Sequence, residues 1–126
     1  MACELLVQRH RPPSSSGNDM RQVTVSVLMP AFNASRFIRQ SIASVLGQTF
    51  EDFELLVIDD GSTDDTVAMV EQMRDPRLRL LPNPRNLGIV ASLNRGIAAA
   101  RGRYVARFDS DDICRPNRFA RQVEFL

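Results

Sequence analysis

The stretch ARFDSDDICRP, Ala106 to Pro116, places Asp109, Asp111 and Asp112 directly after a short apolar-alternating run. Like charges that close repel one another, so either this is a well-solvated acidic turn or a cation sits among them. Two aspartates one residue apart on a loop offer hard oxygen ligands to Mg²⁺ or Mn²⁺. Such ions are commonly held by one or two carboxylates together with substrate phosphates, where they can neutralise a pyrophosphate leaving group. A second acidic stretch, VIDDGSTDD (Val57 to Asp65), also has two readings. Ser62, Asp64 and Asp65 suit the start of a helix, with Ser62 and Asp65 spaced as a capping box. Asp59 and Asp60 fall before that helix, at a strand end, where a carboxylate can accept from a ring N–H such as N3 of uracil. PAFN (Pro30 to Asn33) is a turn whose Phe32 either packs in the core or lies beside a base.

The elements that must position these loops alternate. VTVSVLM (Val23 to Met29) is β-branched, ends at Pro30 and reads as a strand. A helix follows, with Phe37, Ile38, Ser41, Ile42, Val45 and Leu46 on one stripe, Ser35 as its cap and Gly47 as its stop. FELLVID (Phe53 to Asp59) is nearly continuous in apolar residues, the pattern of a central strand covered on both faces. After the second helix come RLRLL (Arg77 to Leu81), a third helix with Ile89, Leu93 and Ile97 at spacing four, and YVARF (Tyr104 to Phe108) as the fourth strand. Pro116 suits the first turn of a last helix reaching Leu126. This order predicts an α/β fold, a Rossmann-like parallel sheet with helices on both faces. In such sheets ligands bind outside the carboxyl ends of the strands. The three chemistry-bearing loops all leave those ends.

Several classes are disfavoured. The chain has 126 residues and a net charge of +1, enough for one core and no cause to expect nucleic-acid binding. No apolar run approaches the roughly 20 residues of a spanning helix. Cys3 and Cys114 fit no metal-ligand spacing and read as free thiols of a reducing compartment; the expected location is cytoplasmic, at most against the inner face of a membrane. The sole histidine, His10, lies in a Pro-, Ser- and Gly-rich lead-in and reads as solvated, so no Ser–His–Asp set is available. There is no G-x-G-x-x-G after the first strand and no Walker A sequence. Residues 1–21 form the expected flexible lead-in, and residues 22–126 the folded part.

From VSVLMPAFNASRFIRQSIASVLGQTFEDFELLVIDDGSTDDT to NLGIVASLNRGIAAARGRYVARFDSDD, the sequence closely resembles the start of family 2 glycosyltransferases, in register and in order. The resemblance implies part of a GT-A fold that binds a nucleotide sugar, often a UDP-sugar, and an inverting displacement of the nucleoside diphosphate by an acceptor hydroxyl. Carried over by position, Pro30, Ala31 and Phe32 would line the base pocket, and Asp60 would accept from the base N–H. Asp109 and Asp111 would form the Asp-x-Asp element, with Asp111 the direct metal ligand and Asp109 also facing the donor's ribose or sugar. Asn86, Gly88 and Asn94 would flank the nucleotide, and Asp112 would support the metal site or cap the next turn. Phe32 stands where the family more often has Tyr, a mild departure if the ring's role is packing.

The resemblance also places the general base in an acceptor-binding half well beyond the Asp-x-Asp element. The sequence ends at Leu126. It is therefore expected to be the donor half, truncated, and to transfer no sugar by itself. Its fourth strand would be left as an unpaired sheet edge inviting self-association. Two rivals remain open: a nucleotidyltransferase, which would normally carry a Gly-rich basic loop after its first strand, and a non-catalytic nucleotide-binding or interaction module.

Overall fold

The computed structural model describes residues 6–10, 23–111, 116 and 120–121. Asp112, Cys3, Cys114 and most of the expected last helix lie outside the described residues. Five strands, β1 (Leu6–Arg9), β2 (Val25–Ala31), β3 (Phe53–Asp59), β4 (Leu78–Pro82) and β5 (Tyr104–Arg107), alternate with helices α1 (Ile38–Leu46), α2 (Thr66–Gln72) and α3 (Ile89–Ala99). They form one sheet of order β1-β5-β2-β3-β4. The pairs β5–β2, β2–β3 and β3–β4 are parallel, and β1 lies antiparallel on β5.

The alternating side chains of the central strands divide the core. Val25, Val27, Met29, Phe53, Leu55 and Val57 face α1 and α2, where Ile38, Ile42, Val45 and Val70 cover them. Leu28, Leu56 and Ile58 face the other way, towards α3. Every residue of β2 and β3 is buried, as the near-continuous apolar runs require.

Five expectations are revised. The lead-in is not wholly apart from the sheet: Leu6–Arg9 pairs with β5, and His10 Nε2 lies 3.1 Å from the Ala100 carbonyl. That makes the sheet mixed rather than all parallel, and β5 is an interior strand, not an unpaired edge. The helix caps also differ. Ser35 does not cap α1, whose N-cap is Phe37 without a side-chain bond, and neither Ser62 nor Asp65 gives α2 a side-chain cap. Finally, of the Ile89–Leu93–Ile97 stripe of α3 only Leu93 packs, half-buried, against the core. The helix's buried positions are Ser92 and Gly96, while Ile89 and Ile97 are exposed. A Cβ on Gly96 would stand 2.9 Å from Ile58 Cδ1, so the small residue lets the helix approach the sheet. Among the described residues no helix is long and apolar enough to cross a membrane.

Candidate functional site

The loops at the carboxyl ends of the strands are stitched to one another by polar side chains. Asn33, in the left-handed region at φ 48°, is the hinge after β2, a conformation that asparagine tolerates better than most residues. Its N–H donates to Ser62 Oγ (2.9 Å), and its Oδ1 accepts from the Thr63 N–H (2.8 Å). Next to it, the Ala34 N–H donates to Thr66 Oγ1 (2.9 Å) and the Ser35 N–H to Asp64 Oδ2 (3.2 Å). The loop after β2 is thereby fixed to the loop after β3. Burial raises the Asp64 pKa, but bonds from Thr66 and Ser35 outweigh that and hold it at about 2.

Asp59 and Asp60 serve the same scaffold. Asp59 is buried; its carboxylate takes the Ser62 N–H (3.0 Å) and the Ser62 hydroxyl (2.6 Å). This Asx turn draws Ser62 away from capping α2. Asp60, 7% exposed, reaches the loop after β4. It accepts from Leu87 N–H (2.7 Å), Gly88 N–H (3.0 Å) and Asn83 Nδ2 (2.9 Å). Burial pushes the Asp60 carboxyl up, and the bonds from Leu87, Asn83, Gly88 and Ser92 together bring it below its ordinary value. Gly61, at φ +75°, permits the contact: a Cβ there would stand 2.7 Å from the Arg85 carbonyl carbon and the Asn86 nitrogen. The loop after β5 is anchored from α1, where buried Ser41 donates through Oγ to the Ser110 carbonyl (2.7 Å).

A cavity of about 450 Å³ opens where β5 stops short. The β5 ladder ends at Arg107 opposite Leu28, whereas β2 runs on to Ala31. Pro30, with no N–H to donate, lies beyond that last rung. Its lining is mixed: apolar Pro30, Phe32, Phe37 and Ile89 share it with charged Arg107, Asp109 and Asp111. Phe32 is 49% exposed, which excludes the core-packing reading and leaves its ring facing the opening. Arg107 Nε donates to Asp109 Oδ1 at 3.3 Å.

Pro30, Phe32, Asp109 and Asp111 are thus brought together, and the remaining candidates are not. Ala31 is buried behind the cavity, and its carbonyl accepts the Asp60 N–H (2.8 Å). Asp60 lines the scaffold rather than the opening. Gly88, at φ +94°, starts α3, and Asn86 and Asn94 are exposed without lining the cavity. Sequence reading missed Asn33, Phe37, Ile89 and Arg107. A non-apolar residue closing a turn was a signal for Asn33; the others looked like ordinary stripe and strand positions.

A divalent cation is implied by the Asp-x-Asp reading. Asp109 and Asp111 present hard oxygens towards open space, and the described residues contain no group of three or more His, Cys, Asp or Glu side chains arranged to hold a metal. That donor set fits an ion completed by substrate phosphates and water, not one caged by protein alone.

Comparison with known proteins places this geometry. The chain is 40% identical over 107 residues to the Escherichia coli UDP-Glc:alpha-D-GlcNAc-diphosphoundecaprenol beta-1,3-glucosyltransferase WfgD, covering 85% of this chain and 42% of that protein. Among solved structures it superposes on S. aureus TarS in complex with UDP-GlcNAc with a TM-score of 0.77 and 30% identity, over 81% of this chain and 30% of that one. It also superposes on the mannosyltransferase PcManGT from Pyrobaculum calidifontis in complex with GDP-Man and Mn²⁺, with a TM-score of 0.67 and 25% identity, over 82% and 32%. The chain spans less than half the length of the curated relatives it matches. Residues 26–126 match the model of Glycosyl transferase family 2, and with the GT-A type sheet and its acidic rim the chain belongs to that family.

Proposed function

We propose that this chain forms the donor-binding part of a glycosyltransferase and holds a nucleoside-diphosphate sugar, a UDP-sugar in particular, in the cavity beside β5. The observation that carries the reading is the mixed lining of one cavity: an exposed Phe32 ring and Pro30 together with Asp109 and Asp111. A nucleotide combines the same two kinds of demand, a flat apolar-faced base and an anionic diphosphate that a carboxylate-bound cation can meet. The base lies along Phe32. In this reading the base edge reaches past the cavity lining to Asp60, whose 7% exposed carboxylate also serves Leu87, Gly88 and Asn83. Asp109 and Asp111 would hold Mg²⁺ or Mn²⁺, and Asp109 also faces the ribose or sugar. When bound, the ion supplies neutralisation of the diphosphate.

The reaction this serves is inverting. An acceptor oxygen attacks the anomeric carbon, the bond to the diphosphate breaks, and the nucleoside diphosphate leaves with the electron pair. The hydroxyl proton passes to a base, which this reading places in the part of the longer relatives that the match does not span. Transfer is accordingly proposed to need that part as well.

Titrating UDP by calorimetry, with Mn²⁺ and with chelator, tests the reading. Binding that requires the metal is expected. A protein that binds no UDP under either condition would be an interaction module instead.

A further inference from the structure

Arg107 is the one cation lining the cavity among the described residues. It ends β5, two residues before Asp109. Strand alternation puts it on the α3 side of the sheet, with Val105, and the start of α3 at Ile89 forms the neighbouring wall. Its Nε donates to Asp109 Oδ1 at 3.3 Å, and both side chains are open to solvent, at 44% and 52%. The pairing relieves the acidic pair while no cation is present. It also conflicts with the ion assigned to the same carboxylates, because a guanidinium and a divalent cation repel each other across one Asp109 oxygen.

We infer that Arg107 is a positioning residue that alternates between two anions: the Asp109 carboxylate when no metal is bound, and the donor's diphosphate once a divalent ion occupies the acidic pair. This rests on the donor-site reading above. Charge favours the exchange. Two carboxylates balance a divalent ion, which leaves a diphosphate of about two negative charges without a full partner. Arg107 is the cation at hand. Its planar fork of donors matches phosphate oxygens in a way a single ammonium does not. The side chain is exposed and flexible, so turning from one anion to the other breaks no core contact.

The inference predicts effects of opposite sign, which a general folding defect does not produce. Arg107→Gln should bind Mn²⁺ alone two- to fivefold tighter (roughly the worth of one exposed ion pair). At saturating Mn²⁺ it should bind UDP about tenfold more weakly, the loss of one charge-assisted hydrogen bond. Affinity for uridine, which lacks phosphates, should not change, and neither should the thermal midpoint. Arg107→Lys should keep the wild-type Mn²⁺ affinity and recover part of the UDP affinity. Unchanged or weaker Mn²⁺ binding in Arg107→Gln would overturn the Asp109 half of the inference. Equal losses for uridine and UDP would overturn the diphosphate half. Wild-type protein that binds no UDP with Mn²⁺ defeats the donor reading itself, whereas wild-type binding with an Arg107→Gln variant indistinguishable from it defeats this inference alone.

Discussion

Replacing Asp60 by alanine should destabilise the fold by about 3 kcal/mol, and the structure shows where that comes from. Asn83 Nδ2, the Leu87 N–H and the Gly88 N–H end on this buried carboxylate, and the Ser92 side chain adds a bond. Asn83 is itself buried; its amide keeps the Ser92 Oγ acceptor (2.9 Å), but the N–H aimed at Asp60 is left without one, at a cost of about 1–3 kcal/mol. Leu87 and Gly88 are more open, and water can replace the lost acceptor there for a few tenths to about 1 kcal/mol each. Urea unfolding followed by circular dichroism reads the sum, provided the slope is unchanged.

The pH dependence gives an independent check. The folded pKa of Asp60 lies below its ordinary value of 3.8. Its contribution is therefore fully present above about pH 4 and lost as pH falls through the folded pKa. The gap between wild type and Asp60→Ala should be constant near neutrality and narrow below about pH 4. Asp64 and Asp75 are shifted in the same direction, so the comparison must be the difference between the two proteins, not the acid stability of either. A loss under about 0.5 kcal/mol, or a gap that does not narrow in acid, would refute the assignment of Asp60 as the tie holding the loop after β4. The same variant addresses the base reading: UDP affinity should fall more than affinity for inorganic pyrophosphate.

Asp111→Asn should weaken Mn²⁺-dependent UDP binding at least tenfold with no loss of stability, because none of the described residues donates to that carboxylate; calorimetry decides. Phe32→Ala should reduce UDP affinity by about 1 kcal/mol and leave the unfolding midpoint in place, since the ring is exposed; a large drop in stability would mean the ring packs inside after all. Gly61→Ala should cost about 2–4 kcal/mol, from a left-handed φ and a Cβ driven into the Arg85–Asn86 backbone, measured as a fall in denaturation midpoint.

Sequence made some elements plain for physical reasons. β3 was read at its observed bounds, Phe53–Asp59, because a strand covered on both faces has no choice but to be apolar along its length. β1 was not legible. Four residues carry no usable period, and their pairing with β5 is a contact between opposite ends of the chain. On α3 the large apolar residues suggest a buried Ile89–Leu93–Ile97 stripe, whereas close approach to Leu28 and Ile58 selects the small Gly96, with only Leu93 of the stripe half-buried. The capping box at Ser62 failed because a buried carboxylate, Asp59, competed for the same hydroxyl and N–H. At the site, residue type was enough to raise Asp109, Asp111, Pro30 and Phe32. Arg107, Phe37 and Ile89 required knowing where β5 ends relative to β2.

The clustering of acids along this chain is accounted for by how completely each is served by protein donors. Glu54, at the opposite end of β3, takes bonds from Ser26, the Arg101 N–H and Arg79 at 2.6–2.8 Å. Asp59, Asp60 and Asp64 are likewise occupied, at loops they hold in place. A carboxylate whose lone pairs are filled by N–H and O–H groups is a weak candidate for a metal, because the ion would have to displace them. Among the described residues Asp65, Asp109 and Asp111 are the exceptions on the rim, and of these Asp109 and Asp111 line the cavity. Asp109 has a single exposed arginine and Asp111 no donor among the described residues. An acid left unserved on a loop that Ser41 has otherwise fixed in place costs little in water, since both carboxylates remain hydrated. It becomes costly as soon as a ligand covers it, unless that ligand brings a cation. The same unserved state that makes the acidic loop affordable when open thus makes closure over it conditional on metal, and this is why UDP binding, rather than folding, is where the metal requirement should register.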